Sequence, residues 1–248
     1  IELNQTNTPG NANALFVIDE PGSYVLGADA DAGTRDGIQI AADNVTIDLN
    51  GYTLTGTPGA GTRGVTSVLP GDDNFSFVNA TVRNGTIDGF DSGVRMDNFV
   101  IEPFFFVSNI TGARLESLDI TNSVFGIRSN TTTIIERCAV RATRGGISGG
   151  SVIVNCNVVI EGDDPSASSG IVATGASVTG CAVLLANTVG QEVAAYRLNG
   201  STGANSTARG GGIGFELNGR TVATGCAADN STADAQLNEG SQSFNSNF

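Results

Sequence analysis

The sequence predicts an all-β solenoid, in which short parallel strands wind in successive coils around one internal core. A repeat of one apolar residue, two free positions, a small or thiol residue, one free position and a second apolar residue occurs seven times, which is typical of repeat architectures. A second repeat, Gly followed by Ile or Val, is interleaved with the first. No stretch of a dozen residues places apolar side chains at i, i+3, i+4 and i+7, the spacing of an amphipathic helix.

The copies have irregular spacing, which favours strands joined by loops over helical repeats of nearly constant length. Successive copies of the first repeat begin 33, 33, 20, 18, 25 and 45 residues apart. They are rich in Val, Ile and Thr and are bounded by Gly, Asn, Asp and Ser, as expected for strands and turns. The first repeat comprises Leu49–Leu54, Val82–Ile87, Leu115–Ile120, Ile135–Val140, Ile153–Val158, Val178–Val183 and Ala223–Ala228, and the second begins at Gly37, Gly93, Gly126, Gly146, Gly170 and Gly212.

Residues 1–36 are predicted to form an N-terminal cap, because a solenoid must cover the open backbone groups of its first coil. The coils then occupy residues 37–230 and repeat most tightly from Gly126 to Ala186. Within them, residues 187–211 form an insertion or a degenerate coil, with a strand-like Val193–Leu198 and a flexible loop predicted over residues 199–212. Residues 231–248 are polar and are predicted to form a C-terminal cap or tail. We expect a single elongated domain.

Composition restricts the partners of this chain. The 248 residues carry a net charge of −13, and all 12 basic residues are Arg. This balance disfavours a nucleic acid or an anionic membrane as a partner, since both require a cationic surface. No run of 18 apolar residues predicts a membrane span. Few charges, 34 Gly and abundant Thr, Asn and Ser are typical of a secreted or cell-surface protein of bacterial type.

The available chemistry is narrow, because the chain contains no His, no Lys and no Trp. Triads of Ser, His and Asp, His-ligated metals and Lys Schiff bases are therefore excluded. The cysteines all occupy the same slot of the first repeat, at Cys138, Cys156, Cys181 and Cys226. They predict one inward column of buried thiols, with disulfides between stacked neighbours as the alternative. No metal site and no cofactor are predicted, and calcium is left open only by scattered pairs such as Asp88 with Asp91.

The segment Val-Thr-Ile-Asp-Leu-Asn-Gly-Tyr-Thr-Leu-Thr-Gly at residues 45–56, together with the later Gly-Ile units, resembles the opening coil of right-handed parallel β-helix proteins. That superfamily includes pectate-lyase-like enzymes and carbohydrate-binding or sugar-hydrolase repeat domains. The resemblance covers residues 37–230 and implies three strands per coil, right-handed winding and, in many relatives, a polysaccharide bound along one outer face. We accordingly expect about eight to ten coils. The chain departs from the family's catalytic patterns, since Gly-His-Gly, Arg-Ile-Lys and any Lys–Arg pair are missing from it.

Strand alternation identifies the side chains that point outward. Along the Gly-Ile strands the first outward column is predicted to hold Gln39, Arg95, Arg128, Ser148, Val172 and Gly214, and the next Ala41, Asp97, Asn130, Gly150, Thr174 and Glu216. Arg95 and Arg128, with Asp97 and Asn130 beside them, are the candidate binding residues for carboxylates, which Arg binds bidentately. The alternative is an ordinary Arg–Asp ladder on a solvated face. A second candidate patch comprises Asp88, Asp119 and Arg141.

Two functions remain as hypotheses. The first is a secreted protein that binds an acidic polysaccharide and, if it is an enzyme, processes it as a lyase, hydrolase or epimerase, with no catalytic residue assigned. The second is a non-catalytic structural or adhesive module of a cell surface or extracellular assembly. It would form a homo-oligomer through its coil ends or through the Phe-rich segment from Phe75 to Phe106, which holds seven of the 12 Phe. The alternative for that segment is a loop that buries its own rings.

Overall fold

The structure, a computed structural model, describes residues 1–58, 61–67, 76–97, 109–162, 169–186, 193–210, 213–229, 233–237 and 242–244. Within these residues the chain forms 28 strands and no helix, and so no helix that could cross a membrane. One sheet contains 26 of the strands, and the other two strands pair separately.

The strands are short, as the repeats predicted, with a few longer ones that bend through a turn. In chain order they are β1 (Glu2–Leu3), β2 (Ala14–Ile18), β3 (Gly22–Leu26), β4 (Ala30–Asp31), β5 (Asp36–Ile40), β6 (Val45–Asp48), β7 (Thr53–Thr55), β8 (Arg63–Thr66), β9 (Ser76–Val78), β10 (Ala80–Asp88), β11 (Ser92–Met96), β12 (Asn109–Thr111), β13 (Arg114–Ser129), β14 (Ile134–Glu136), β15 (Ala139–Ser148), β16 (Val152–Val154), β17 (Asn157–Ile160), β18 (Ile171–Thr174), β19 (Ser177–Thr179), β20 (Ala182–Leu185), β21 (Ala194–Asn199), β22 (Thr202–Ala204), β23 (Thr207–Arg209), β24 (Ile213–Asn218), β25 (Val222–Thr224), β26 (Ala227–Asp229), β27 (Ala233–Leu237) and β28 (Gln242–Phe244).

Parallel pairing joins the strands into three ladders, which the chain visits in turn. The first ladder runs through β2, β5, β8, β11, the end of β13, the end of β15, β18, β21, β24 and β27. The second runs through β1, β3, β6, the starts of β10 and β13, β14, β16, β19, β22, β25 and β28. The third runs through β4, β7, the end of β10, the middle of β13, the start of β15, β17, β20, β23 and β26.

The predicted class is confirmed as an all-β chain whose long parallel sheet curls round an axis, an arrangement that fits a β-solenoid. One passage of the chain through the three ladders is here called a coil. Outside the ladders, β9 and β12 form a separate parallel pair.

The interior consists of stacked side chains from all three ladders. In one coil Ile147, Ile153 and Val158 each point inward from a different ladder, and each is at most 1% exposed. Equivalent side chains of neighbouring coils lie about 4.8 Å apart. This stacking removes apolar surface from water along the whole axis, which is the main force that holds the coils together.

Where the third ladder meets the first, the chain has the Gly of a Gly-Ile or Gly-Val repeat at Gly37, Gly93, Gly126, Gly146 and Gly170. A Cβ added at Gly126 would lie 2.2 Å from Cγ1 of Val140, and one added at Gly170 would lie 2.2 Å from Cγ1 of Val183. The inward Val of the third ladder therefore occupies the space that a side chain would need. Ala195 takes the corresponding position one coil after Gly170, where the third ladder supplies the smaller Ala208.

A residue in the left-handed conformation separates the second ladder from the third. Positive φ angles occur immediately before the small or thiol slot of the first repeat, from 48° at Asn205 to 80° at Gly51. The residues at this position are Gly51, Asn84, Ser117, Arg137, Asn155, Gly180, Asn205 and Gly225. Gly and Asn adopt this conformation most readily, which explains why they predominate at the second free position of the repeat.

Residues 1–36 contribute strands to the ladders as well as contacts at their outer edge. Strands β2, β3 and β4 pair with β5, β6 and β7. At the edge, β1 pairs with β3, Nε2 of Gln5 donates to the carbonyl oxygen of Leu15, and Pro9 forms a bridge with Phe16. These contacts satisfy backbone groups that would otherwise lie open at the end of the sheet. The cap boundary at residue 36 and the other domain limits stay predictions.

Two details of the predicted winding are wrong. The loop expected over residues 199–212 contains two strands, Thr202–Ala204 and Thr207–Arg209, which continue the second and third ladders. In the first outward column, Val172 pairs with Arg197, and Arg197 pairs with Glu216 rather than with a residue at Gly214. The error arose because the Gly-Ile motif at residues 212–213 is out of phase with the earlier ones.

Candidate functional site

The outward side of the first ladder carries one continuous column of mainly polar side chains. Successive pairings give the order Val17, Gln39, Thr66, Arg95, Arg128, Ser148, Val172, Arg197 and Glu216. The first part is buried, since Gln39 and Thr66 are at most 1% exposed and Arg95 is 9% exposed. From Arg128 onward the column reaches solvent. The name arginine face is used here for Arg95, Asp97, Arg128, Ser148, Val172, Arg197 and Glu216.

Arg95 and Arg128 occupy paired positions on adjacent strands. Nε of Arg95 donates to Oδ1 of Asp97 at 2.9 Å, and Nε of Arg128 lies 3.2 Å from Oδ2 of the same carboxylate. One carboxylate therefore serves two guanidinium groups, so the three side chains together keep an excess positive charge. The Arg128 side chain is 37% exposed and that of Arg95 is 11% exposed. A ligand in solution would reach Arg128 first.

Asn130, the fourth predicted binding residue, forms a turn beside the arginine face. Its Oδ1 accepts hydrogen bonds from the backbone N–H of Thr132 at 3.0 Å and from the hydroxyls of Thr132 and Thr133. Its carbonyl oxygen accepts a bond from the N–H of Gly150. Local bonds of this kind are the usual turn chemistry of Asn. These hydrogen bonds hold the turn around Asn130, whereas the ion pairs described above join Arg95 and Arg128 to Asp97.

A pocket of about 350 Å³ opens on the arginine face. Its lining residues are Phe125, Ile127, Arg128, Gly145, Gly146, Ile147, Ser148, Ser169, Val172 and Arg197. Three ladder steps of about 4.8 Å each separate Arg128 from Arg197. A guanidinium group therefore lies at each end of a floor that is mainly apolar.

Arg197 is held by an ion pair at the far end of the pocket. Its Nε donates to Oε2 of Glu216 at 2.8 Å, and Nδ2 of Asn218 donates to Oε1 at 3.1 Å. Burial raises the pKa of Glu216, but these hydrogen bonds and the charge of Arg197 outweigh it and hold that pKa below its usual value. Glu216 is consequently ionised at neutral pH and fixes Arg197. The sequence pattern does not identify Arg197, because it assigns residues 187–211 to an insertion or a degenerate coil and continues the first outward column from Val172 to Gly214.

Phe125, a lining residue of the pocket, packs against two arginines. The guanidinium carbons of Arg128 and Arg144 lie 5.3 Å and 5.6 Å from the centre of its ring. Cation–π attraction is effective at this range. Arg128 is therefore fixed both by Asp97 and by an aromatic ring, which limits the entropy it would lose on binding an anion.

Ser169 contributes a buried hydroxyl group to the pocket wall. The residue is 2% exposed, and its Oγ has no hydrogen-bond partner among the described residues. Ser129, at 7% exposure, also has a buried Oγ without a partner in the described part of the chain, but it lies outside the pocket lining. A buried hydroxyl in this state costs free energy that a hydrogen bond would recover.

The members of the second predicted patch have separate partners. Oδ1 of Asp88 accepts hydrogen bonds from the Thr121 hydroxyl at 2.6 Å and from Nδ2 of Asn122 at 2.7 Å. Asp119 lies in a neighbouring column, on a strand position paired with Thr86 and Ala139. Arg141 forms an ion pair with Glu161 at 2.6 Å. These bonds stabilise the surface of the third ladder locally.

The four cysteines are free and buried. Backbone bonds place Cys138, Cys156 and Cys181 in successive coils, followed by Ser206 and then by Cys226, so the predicted thiol column is interrupted at Ser206. The hydrogen bond with Cys138 raises the pKa of the Cys156 thiol to about 12. The hydrogen bond with Cys156, together with burial, raises the pKa of the Cys181 thiol. Such thiols stay protonated and behave as core atoms.

Two further predictions concern a metal site and a homo-oligomer, and both can be compared only with the described residues. Within the described ranges, no group of three or more His, Cys, Asp or Glu residues could hold a metal ion. Five of the seven Phe in the Phe-rich segment, at positions 75, 99, 104, 105 and 106, lie outside the described residues, so a homo-oligomer formed through this segment stays a prediction.

Comparison of the chain with protein-family models, with curated proteins and with solved structures finds no match. The likeness to the right-handed β-helix superfamily therefore depends on the sequence repeats and on the ladders described above.

Proposed function

We propose that this chain is a secreted or cell-surface protein that binds an acidic polysaccharide on its arginine face. The observation that carries the proposal is the pocket with Arg128 at one end and Arg197 at the other, in a chain whose net charge is −13. An acidic surface repels polyanions in general, so a local pair of guanidinium groups is needed to attract one at a defined place.

The chemistry of the arginine face suits carboxylates. The ion pairs of Arg128 with Asp97 and of Arg197 with Glu216 engage Nε, and a guanidinium group has five N–H donors in a fork that matches a carboxylate. Between the two arginines, Val172 and the glycines of β15 provide a floor on which the C–H face of a sugar ring can pack. Charge selection at the ends and apolar contact between them together favour a uronic-acid polymer.

The proposed activity is binding without cleavage. A lyase must neutralise the uronate carboxylate and also remove the adjacent proton with a base. The described lining residues include two arginines but no Asp, Glu or Tyr. On the rest of the arginine face, Asp97 and Glu216 are held in ion pairs, and the lowered pKa of Glu216 makes it a weak base. Binding therefore uses groups that are present, whereas cleavage would need a further one.

The proposal includes the finer features that the family resemblance implies. These are right-handed winding, about eight to ten coils, an N-terminal cap over residues 1–36 and a polysaccharide lying along one outer face. The three ladders support this interpretation, since each coil crosses three parallel runs of strands. The binding proposed here needs no cofactor, and calcium is included in its test.

The test is isothermal titration calorimetry with polygalacturonate and alginate, with a sulphated glycan, and with dextran as the neutral control. We expect the uronic-acid polymers to bind, dextran to remain unbound, and the affinity to fall as salt is added. Arg128→Gln and Arg197→Gln should each weaken binding by about tenfold or more, because a hydrogen bond to a charged group contributes about 1.5–3 kcal/mol.

Arg141→Gln is the matched control, because it also removes an arginine from an exposed ion pair but lies on the third ladder. It should keep the wild-type affinity. Equal losses of affinity in all three variants would mean that net charge alone governs binding. If none of the acidic polymers binds the wild type, the proposal is wrong. Titration with EDTA or with added calcium tests the metal, and new unsaturated sugar ends would contradict binding without cleavage.

A further inference from the structure

We infer that Ser169 donates a hydrogen bond to an oxygen of the carboxylate bound in this pocket, which makes the pocket a subsite for a single uronic-acid unit. The inference rests on the proposed function. It adds the part of the ligand that is recognised and the residue that selects it, neither of which follows from the arginines alone.

The first argument is the state of the Ser169 hydroxyl. The residue is 2% exposed and lines the pocket, yet its Oγ has no hydrogen-bond partner among the described residues. Polar groups buried to this degree almost always have a partner. Ser169 belongs to the pocket lining, so the missing partner is explained if a ligand in the pocket supplies it.

The second argument is the position of Ser169 between the two arginines. Its carbonyl oxygen accepts a hydrogen bond from the N–H of Gly146 at 3.3 Å, which fixes its backbone beside the pocket floor. Arg128 belongs to the coil before Gly146, and Arg197 belongs to a later one. A neutral donor that lies between two cations suits an acceptor with negative charge, and it would add a directed bond to their long-range attraction.

The third argument is size. Ligand pockets commonly enclose about 300–1,000 Å³, so a pocket of about 350 Å³ is at the small end of this range. It can enclose one sugar unit, while the rest of a polymer would lie along the open face. Recognition is therefore expected to be strongest for one carboxylate, and the neighbouring units add less.

The experiment compares Ser169→Ala with Ser129→Ala by calorimetry with polygalacturonate. Both variants remove a buried hydroxyl without a partner in the described chain, so both should keep or slightly raise the unfolding midpoint of the free protein. Ser169→Ala should weaken polymer binding by about tenfold, the loss expected for one hydrogen bond to a charged group. Ser129→Ala, which lies outside the pocket lining, should bind like the wild type.

Competition supplies the second readout. Monomeric galacturonate should displace the polymer from the wild type, whereas its methyl ester and galactose should fail to do so, because they lack the charged carboxylate. If Ser169→Ala binds as tightly as the wild type while Arg128→Gln binds weakly, this inference is overturned and the proposed function stands. If the ester competes as well as the acid, the carboxylate is not what the pocket selects. If the wild type binds no acidic polymer, the proposed function fails and this inference fails with it.

Discussion

The core fills its cross-section in two different ways along the axis. In an aliphatic region, from the end of β13 to β20, every ladder supplies an inward Ile or Val. In an aromatic region, from β21 to β26, the first ladder supplies a ring and, two residues later, a buried Leu, while the equivalent inward positions of the other two ladders hold Gly or Ala. Compared at one equivalent inward position of each ladder, the residues coil by coil are Ile127, Ile135 and Val140, then Ile147, Ile153 and Val158, then Ile171, Val178 and Val183, then Tyr196, Gly203 and Ala208, and finally Phe215, Ala223 and Ala228.

The difference shows that the side-chain volume inside a coil varies less along the axis than the residue types that fill it. The rings of Tyr196 and Phe215 stack with centres 4.6 Å apart and planes within 3° of parallel. They project into space that aliphatic side chains from three ladders share elsewhere. Protein interiors are packed at near-crystalline density, so a large side chain on one ladder requires small ones on the others. The repeat is therefore a constraint on the cross-section, which several combinations of residues can satisfy.

The largest expected effect comes from removing a ring in the aromatic region. Phe215→Ala should destabilise the chain by about 3–5 kcal/mol, because Ala223 and Ala228 are too small to fill the resulting cavity. Ile171→Val, one methylene smaller in the aliphatic region, should cost only about 0.5–1.5 kcal/mol. Urea unfolding followed by circular dichroism measures both. If both variants lose the same free energy of unfolding, the Phe215 ring contributes no more to the packing than one methylene group of Ile171.

The next effect tests the corner between the third and first ladders. Gly126→Ala should cost about 1–3 kcal/mol, since its Cβ would lie 2.2 Å from Cγ1 of Val140 and 2.7 Å from the carbonyl oxygen of Gly146. The natural pair Ala195 with Ala208 shows how the chain admits a methyl group at this corner. Adding Val140→Ala to Gly126→Ala should therefore cost less than the two single losses together. A strictly additive double variant would mean that the backbone contact, and not Val140, excludes the methyl group.

Sequence reasoning succeeded in the aliphatic region for a physical reason. There Ile, Val and Cys occupy the inward positions of the two sequence repeats, so the positions that face the core recur visibly. In the same way, the shared offset of Arg95 and Arg128 from a Gly-Ile or Gly-Val motif predicts the pairing that the structure shows. The parallel arrangement of strands follows from the same recurrence.

In the aromatic region the prediction failed over residues 199–212, because Gly and Ser, here including Gly203 and Ser206, are typical of loops when read alone. The large side chains of the first ladder, the rings and Leu198, explain how these strands can have such small side chains, since a Cβ added at Gly203 would lie 3.1 Å from Cδ1 of Leu198. For the same reason the sequence pattern does not identify Arg197, which forms one end of the pocket. The role of Ser169 could not be predicted from the sequence for another reason. A hydroxyl without a hydrogen-bond partner is a property of three-dimensional packing and leaves no sequence pattern.

A smaller effect is expected when the aromatic region keeps its ring and loses its polar contact. The Tyr196 hydroxyl lies 2.7 Å from the carbonyl oxygen of Cys181 and 2.9 Å from that of Thr207. Tyr196→Phe preserves the stack on Phe215 and should cost about 1–1.5 kcal/mol, because a buried hydrogen bond is lost. Tyr24→Phe is the control, since its hydroxyl bonds to the carbonyl oxygen of Glu20 in a more exposed setting. If Tyr24→Phe costs as much in urea unfolding, burial of the Tyr196 bond is not what matters.

The smallest effect is expected at the position where the two regions meet in the thiol column. Ser206 replaces the Cys of the neighbouring coils, and its hydroxyl donates to the carbonyl oxygen of Ala204 two residues earlier, as the thiol of Cys181 donates to that of Thr179. Because the slot already accepts a thiol in the coils on either side, Ser206→Cys should change stability by less than about 1 kcal/mol.

The same variant would join Cys181 to Cys226 in an unbroken column, and the reactivity of that column is its second measurement. The hydrogen bond with Cys156 lowers the pKa of the Cys138 thiol, whereas the pKa values of Cys156, Cys181 and Cys226 are raised. Because all four thiols are buried, we expect no reaction of the folded wild type with Ellman's reagent at pH 8, and the variant should behave alike. In denaturant all five thiols of the variant should react. Fewer than five would reveal a disulfide between stacked neighbours, and rapid reaction in the folded state would show that the column is open to solvent and that the stacking argument for the core is wrong.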